Sequence, residues 1–383
     1  MNQKEVGELR RRFRAEKNAI SRIYGCYVNG SSKEMISDLS QSVGMMPQEE
    51  AEKFLSFFRQ ALSGKPGKNL IDIVFSTQQV MEGEEHRLLS ALRDSCLQDA
   101  GARQALYRKI IGNLEMKGGN YLILLAHDRY DVPHRGKDDA LQADASEQVF
   151  SYIVCCVCPV KDGKAELGYV PGENEFHSRA AAQIVAPPDL GFLFPAFDDR
   201  AANLYNALFY SRKADELHQD FIDAVFHTEV PMSAAEQKEA FQDALCEALE
   251  EECSMKVLQA MHEQLAEKIE EHKESKRPET LTLTPGEIGG MLRQCGASEE
   301  KAAAFRQNCA ERFGEQAALS PDNLIDKGRF EVKTAQATVS VDPACSYLVE
   351  TRVIDGRKYV LIPADEVEVN GLPVVIKGQE QCS

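Results

Sequence analysis

Two stretches limit what this chain can fold into more than any others: NYLILLAH at 120–127 and VFSYIVCCVCPV at 149–160. A strand sends successive side chains to opposite faces. Both stretches are apolar at nearly every position, so each predicts a strand covered on both sides. The expected core is therefore a sheet with these two strands at its centre and helices packed above and below. The run 152–160 is far shorter than the roughly 20 apolar residues that a membrane-crossing helix needs.

The flanking sequence supplies those layers. ISRIYGCYV, the turn NGSS and KEMISDL read as a hairpin, because Asn29-Gly30 suits a turn that needs positive φ. A helix is predicted from Pro47, with Phe54, Leu55, Phe58 and Leu62 on one face and Gly64 as its stop. NLIDIVF (69–75) reads as a strand, and helices are expected near 84–97 and 101–114. Residues 135–147, RGKDDALQADASE, read as a mobile loop, and a polar strand is expected near 165–170. IVAPPDLGFLFPAFDDR (184–200) carries three phenylalanines, which predicts a buried strand that reaches water at Asp198, Asp199 and Arg200. Those aspartates are expected to cap a helix beginning near Ala201. The segment 203–212 fits either strand or helix, and 214–228 fits a helix with Leu217, Phe221, Ala224 and Val225 inward.

From Ser233 to Lys276 there is neither glycine nor proline. Ser233 and Glu236 form a capping box. Phe241, Leu245 and Leu249, followed by Leu258, Met261, Leu265 and Ile269, make a narrow stripe of helical period. Leu258, Met261, Leu265 and Ile269 are the candidate partner surface. The other face is acidic, with 13 Asp/Glu against 6 Lys/Arg over 236–279. A boundary falls at HKESKRPETLTLTP. Beyond it, Thr284-Pro285-Gly286-Glu287 starts one helix and Ser298 caps a second. FEVKTAQATVSVD, LVETRVI-DG-RKYVLI and VEV-NG-LPVVI then predict strands joined by two-residue turns. The reading is an α+β protein in three parts. They are an N-terminal α+β domain with a mixed or antiparallel sheet (1–230), a long amphipathic helical segment (231–278), and a small domain of two helices plus an antiparallel β-meander (279–383).

Chemistry is bounded mainly by what is missing. The sequence holds no G-x-x-x-x-G-K-[ST], no G-x-G-x-x-G after a strand, no H-E-x-x-H and no G-x-S-x-G. Its 44 Lys plus Arg against 61 Asp plus Glu give a net charge of −17, which opposes non-specific attraction to nucleic acid or anionic membrane. The opening MNQKEVGELRRRFR lacks the apolar stretch of a signal peptide. Eleven cysteines, an odd number, predict reduced thiols in a cytoplasmic protein. Cys156 and Cys158 fall on one face of their strand and Cys155 on the other, so the three read as small core residues rather than a metal cluster.

Two candidate sites survive that screen. His127 and Asp128 end one central strand, Asp198 and Asp199 end the GFLFPAF segment, and His177 lies upstream. Converging, they would form a hard-cation site for a metal-dependent hydrolase. The segment 1–24 carries seven Lys/Arg against three Asp/Glu. Its Arg10, Arg11, Arg12, Arg14 and Lys17, on a helix over 2–17, would neutralise phosphates. The alternative for that helix is docking on the protein's own acidic surface.

KNLIDIVFSTQQV, GNYLILLAHDRYDVP, GFLFPAFDDR and LVETRVIDGRKYVLI together resemble a bacterial family catalogued only as a domain of unknown function, over nearly the whole chain. The resemblance implies a bacterial cytoplasmic protein and assigns no activity or catalytic residue. In order of elements the chain is also similar to bacterial nucleoid-associated proteins, a likeness that implies nucleic-acid association and carries no residue across. With no catalytic signature and no cofactor motif, the sequence points to a non-enzymatic binding or scaffold protein that self-associates. Nucleic-acid association and metal-dependent hydrolysis are the two alternatives.

Overall fold

The computed structural model describes residues 1–374 apart from 15, 117–118, 136–140, 164–165, 171, 173, 180–182, 229–231, 276, 278–279, 315–316, 327, 365–366 and 370–371. By internal packing the chain divides into two compact units, Met1–Glu236 with Pro278–Thr280, and Gln237–Arg277 with Leu281–Ser383.

The first unit begins with α1 (Gln3–Arg10), the hairpin β1 (Arg22–Asn29) and β2 (Glu34–Ser42), and α2 (Gln48–Ala61). β3 (Leu70–Val74) precedes three helices, α3 (Thr77–Glu82), α4 (Glu84–Asp94) and α5 (Ala100–Asn113). The long strands β4 (Tyr121–Arg135) and β5 (Leu141–Asp162) follow, then the hairpin β6 (Glu166–Val170) and β7 (Glu175–Arg179). After β8 (Gln183–Val185) come β9 (Leu190–Phe194), β10 (Ala196–Asp198), β11 (Ala201–Asn203), β12 (Asn206–Ser211) and α6 (Gln219–Phe226).

The main sheet runs β2-β1-β4-β5-β9-β12-β3, with β8 on the end of β5, and every pairing in it is antiparallel. β4 and β5 take the central places that their two apolar faces require. One face buries Ile123, Leu125, Cys155 and Phe192 under Leu89, Leu106, Tyr107, Ile110 and Phe221 of α4, α5 and α6. The other buries Leu124, Tyr152, Cys156 and Leu193 under Val6, Leu9, Leu55 and Phe58 of α1 and α2. Cys155 and Cys156 thus belong to different cores, as strand alternation demands. At Gly191 an added Cβ would lie 2.5 Å from the Cys155 carbonyl oxygen and 3.1 Å from the Ala61 Cβ. A glycine there lets α2 approach the sheet closely.

Several expectations are corrected. The first helix stops at Arg10 rather than reaching 17, because Phe13 has to leave the helix to bury itself against Phe58 and Tyr152. Residues 141–147 are not loop but extend β5, with Gln142 opposite His134 and Ser146 opposite Pro133; residues 136–140 lie outside the described residues. The ambiguous 203–212 resolves as β12, held between β9 and β3. No helix starts at Ala201. Asp199 (φ 49°) and Arg200 (φ 60°) form the two-residue turn of the β10–β11 hairpin, a geometry that matches strand twist. α3 was not anticipated.

The second unit contains most of α7 (Ala234–Leu249), then α8 (Met255–Ser275), α9 (Pro285–Gln294), α10 (Glu299–Phe313) and the short α11 (Pro321–Leu324). A 3-10 turn over Glu250–Glu252 separates α7 from α8, so the glycine-free stretch is a helix pair. Their stripe closes a core with Ile288, Leu292, Phe305 and Cys309, in which Phe241 meets Phe305 edge-on at 5.9 Å. Three two-stranded hairpins follow: β13 (Phe330–Lys333) with β14 (Thr338–Val341), β15 (Glu350–Ile354) with β16 (Arg357–Leu361), and β17 (Val367–Val369) with β18 (Leu372–Val374). FEVKTAQATVSVD is therefore itself a hairpin, and the C-terminal strands pair in twos. Asp355 (φ 50°) and Gly356 (φ 75°) supply the left-handed turn of β15–β16. The architecture is α+β.

Candidate functional site

Arg12 and Asp128, one from each candidate site, bind each other. Asp128 is fully buried, and four donors fill its two oxygens. Arg12 Nε reaches Oδ2 at 2.9 Å and Arg12 Nη2 reaches Oδ1 at 3.2 Å. The Ala19 backbone N–H donates to Oδ1 at 2.8 Å and the Tyr152 hydroxyl to Oδ2 at 2.8 Å. Arg12 also donates to the Arg129 carbonyl at 3.0 Å and lies 4.3 Å over the Tyr130 ring. A carboxylate with every lone pair engaged by a donor has nothing left for a cation. Asp128 is a structural anchor for the segment that follows α1.

The other proposed ligands have equally definite occupations. His127 faces away from Asp128 and its Nε2 meets Ser151 Oγ at 2.8 Å. Burial pulls its pKa down from the ordinary value. Asp198 Oδ1 holds the Met1 ammonium at 2.8 Å, and its Oδ2 accepts from Asn203 at 2.8 Å and Asn206 at 3.3 Å. Asp72 holds the same ammonium at 3.0 Å. Burial lowers that amine's pKa, but the two carboxylates outweigh it and the net shift is upward. Asp199 is exposed in its turn, and His177 is exposed on β7, 3.5 Å from Glu175. Among the described residues no three His, Cys, Asp or Glu side chains gather to hold a metal ion.

Of the basic cluster, Arg12 is committed to Asp128, Arg10 is partly buried, and Arg11, Arg14 and Lys17 are exposed. Arg12 ties the segment after α1 to the sheet's own buried Asp128. A second tie reinforces it. Arg200 donates to Glu8 at 2.6 Å and to the Pro133 carbonyl at 2.8 Å, and the Tyr130 hydroxyl donates to Glu8. Arg200 of the DDR turn thus helps hold α1 in place.

The candidate partner surface lies in the second unit. Met261, Leu265 and Ile269 are buried, and Leu258 is 36% exposed. Leu258, Met261 and Leu265 line a cavity of about 510 Å³, together with Phe241 and Leu245 of α7 and a wall formed by Leu324, Ile325 and Phe330. His262 Nε2 meets the Asp326 carbonyl at 2.9 Å, and its ring stands edge-on to Phe330 at 5.7 Å. Sequence reasoning found the helical stripe but missed Lys238, His262, Asp326 and Arg329 on the rim. The second wall lies some sixty residues downstream, and no local pattern announces it.

Past that cavity the chain is anchored once more. Gln259 Nε2 donates to the Ser346 carbonyl at 2.6 Å and the Val349 carbonyl at 3.0 Å. Beyond Val349 every residue of β15 is exposed. Val353 is 68% and Leu372 69% exposed, and Ile354, Tyr359, Ile362 and Val374 are exposed as well. In the β15–β16 register Val353 and Val360 share one face, while Ile354, Tyr359 and Leu361 share the other. Both faces of this ribbon therefore carry apolar side chains.

The ten described cysteines are free thiols, and no helix among the described residues is long and apolar enough to cross a membrane. No curated protein matches the chain, and nothing in the comparisons supports the likeness to nucleoid-associated proteins. A family match covers residues 1–372, from α1 through the second unit's hairpins, and the chain belongs to the family described as Domain of unknown function (DUF4317).

Proposed function

We infer that this chain is a cytoplasmic, non-enzymatic binding protein that assembles with a second copy of itself through its C-terminal ribbons. The carrying observation is the β15–β16 hairpin, whose first strand is exposed along its whole length and which shows apolar side chains on both faces. A lone two-stranded hairpin is marginal in water, and unpaired strand edges are templates for another strand. A second copy offers a matching edge. In an antiparallel pairing of two β15 strands centred on Thr351, Glu350 of each stands opposite Arg352 of the other. Such a twofold contact closes on itself and stops at a dimer. Free thiols at the ten described cysteines accord with a reducing compartment.

The test is a pair of substitutions at exposed positions, Val353→Lys and Tyr359→Lys. Each leaves the helical core of the second unit untouched, so the thermal melt of that core is expected to hold. Sedimentation velocity is expected to show the assembled species giving way to monomer. Unchanged sedimentation in both variants refutes assembly through this ribbon.

A further inference from the structure

The cavity of the second unit has a property that the ribbon assembly does not use. Its floor is apolar, formed by Phe241, Leu245, Leu258, Met261 and Leu265. Its acidic rim groups are already engaged. Asp326 accepts from the Gly328 N–H at 2.9 Å and from Arg329 Nε at 3.1 Å. Glu331 holds Lys333 at 2.7 Å and lies 3.6 Å from Arg329. Lys238 also lines the cavity, partly buried on α7, and has no ion-pair or hydrogen-bond partner among the described residues. The nearby Asp326 feels its charge without pairing with it. A lysine without an ion-pair partner beside an apolar lining can take an anion through a charge-assisted hydrogen bond.

We propose that this cavity binds a small amphiphilic carboxylate, with its apolar body on the α7–α8 floor and its head group on Lys238. Its volume of about 510 Å³ lies within the roughly 300–1,000 Å³ of small-molecule sites, which pair apolar walls with a few polar groups. A second cavity, about 500 Å³, is lined by Met116, Pro159 and Val160 together with Lys161, Arg212 and Lys213. There Arg212 is paired with Asp189 at 3.0 Å and Lys213 with Glu216 at 3.2 Å. In the second unit's cavity, Lys238 beside the apolar α7–α8 lining favours an anionic ligand.

The experiment titrates the full-length protein with the anionic fluorophore 1-anilinonaphthalene-8-sulfonate, then competes with dodecanoate below its micellar concentration. One saturable site is expected, displaced by dodecanoate and not by dodecyltrimethylammonium. Lys238→Met is expected to weaken dodecanoate roughly tenfold, the scale of one charge-assisted hydrogen bond. Leu258→Asp is expected to abolish binding, and circular dichroism melts confirm that both variants fold. Absence of a saturable site, equal competition by the cation, or full dodecanoate affinity in Lys238→Met overturns the proposal. So does a site that opens only on dilution, since that would mean a second copy covers the cavity.

Discussion

Arg12 and Asp128, 116 residues apart in sequence, form a buried ion pair with Nε 2.9 Å from Oδ2. The pair joins the segment after α1 to a central strand. It also removes one residue from each of two candidate sites, the phosphate-binding cluster and the metal site.

A buried pair broken on one side leaves an uncompensated charge in low dielectric. Asp128→Ala strands Arg12, the Tyr152 hydroxyl and the Ala19 N–H, and is expected to cost about 3–5 kcal/mol in urea denaturation. Arg12→Met strands the carboxylate and is expected to cost a similar amount. The double variant is expected to lose clearly less than the sum, because neither charge is then left buried alone. Additive losses would show that the two residues do not act together.

Stability is expected to fall as the solution is acidified below about pH 6.5. Burial depresses the His127 pKa; Asp128 opposes that, while Arg129 and Arg93 add to it. The unfolded chain, with an ordinary value near 6.5, therefore takes up the proton before the folded one does. The stabilisation is present above 6.5 and is lost as pH falls through the folded-state value. His127→Asn keeps a polar group near Ser151 and does not titrate. Its stability profile between pH 7 and 5 is expected to be shallower, as read by chemical denaturation at each pH.

Thiol chemistry separates the cysteines by burial. Cys155 and Cys156 are held well above the ordinary thiol value by burial in the sheet core, and Cys309 is pushed up to about 12. Cys246 is exposed. Titration of the native protein with 5,5′-dithiobis(2-nitrobenzoate) is expected to label Cys246 readily, while Cys26, Cys155, Cys156, Cys158 and Cys309 react only after denaturation. Prompt labelling of Cys155 or Cys156 would contradict the buried position of β5.

The sheet centre was legible because period-two patterning reports burial directly: NYLILLAH and VFSYIVCCVCPV had no acceptable place at an edge. Adjacent turn residues were equally informative, as Asp355-Gly356 shows. The role of Asp128 was not legible, since its partner comes from a distant segment whose local pattern reads as an exposed basic helix. Strand alternation puts His127 and Asp128 on opposite faces of β4, a signal against a joint metal site that the sequence reading left unused. The 203–212 segment stayed ambiguous because a short apolar run fits either period, and pairing with β9 and β3 decided it. The cavity needed two walls, and the sequence displayed only the α7–α8 stripe.

The most direct test of the account is the mass of the full-length protein by multi-angle light scattering at micromolar concentration. Assembly through the C-terminal ribbons predicts twice the monomer mass, falling to the monomer mass in the Val353→Lys, Tyr359→Lys double variant. A wild-type protein that is monomeric across that range contradicts it.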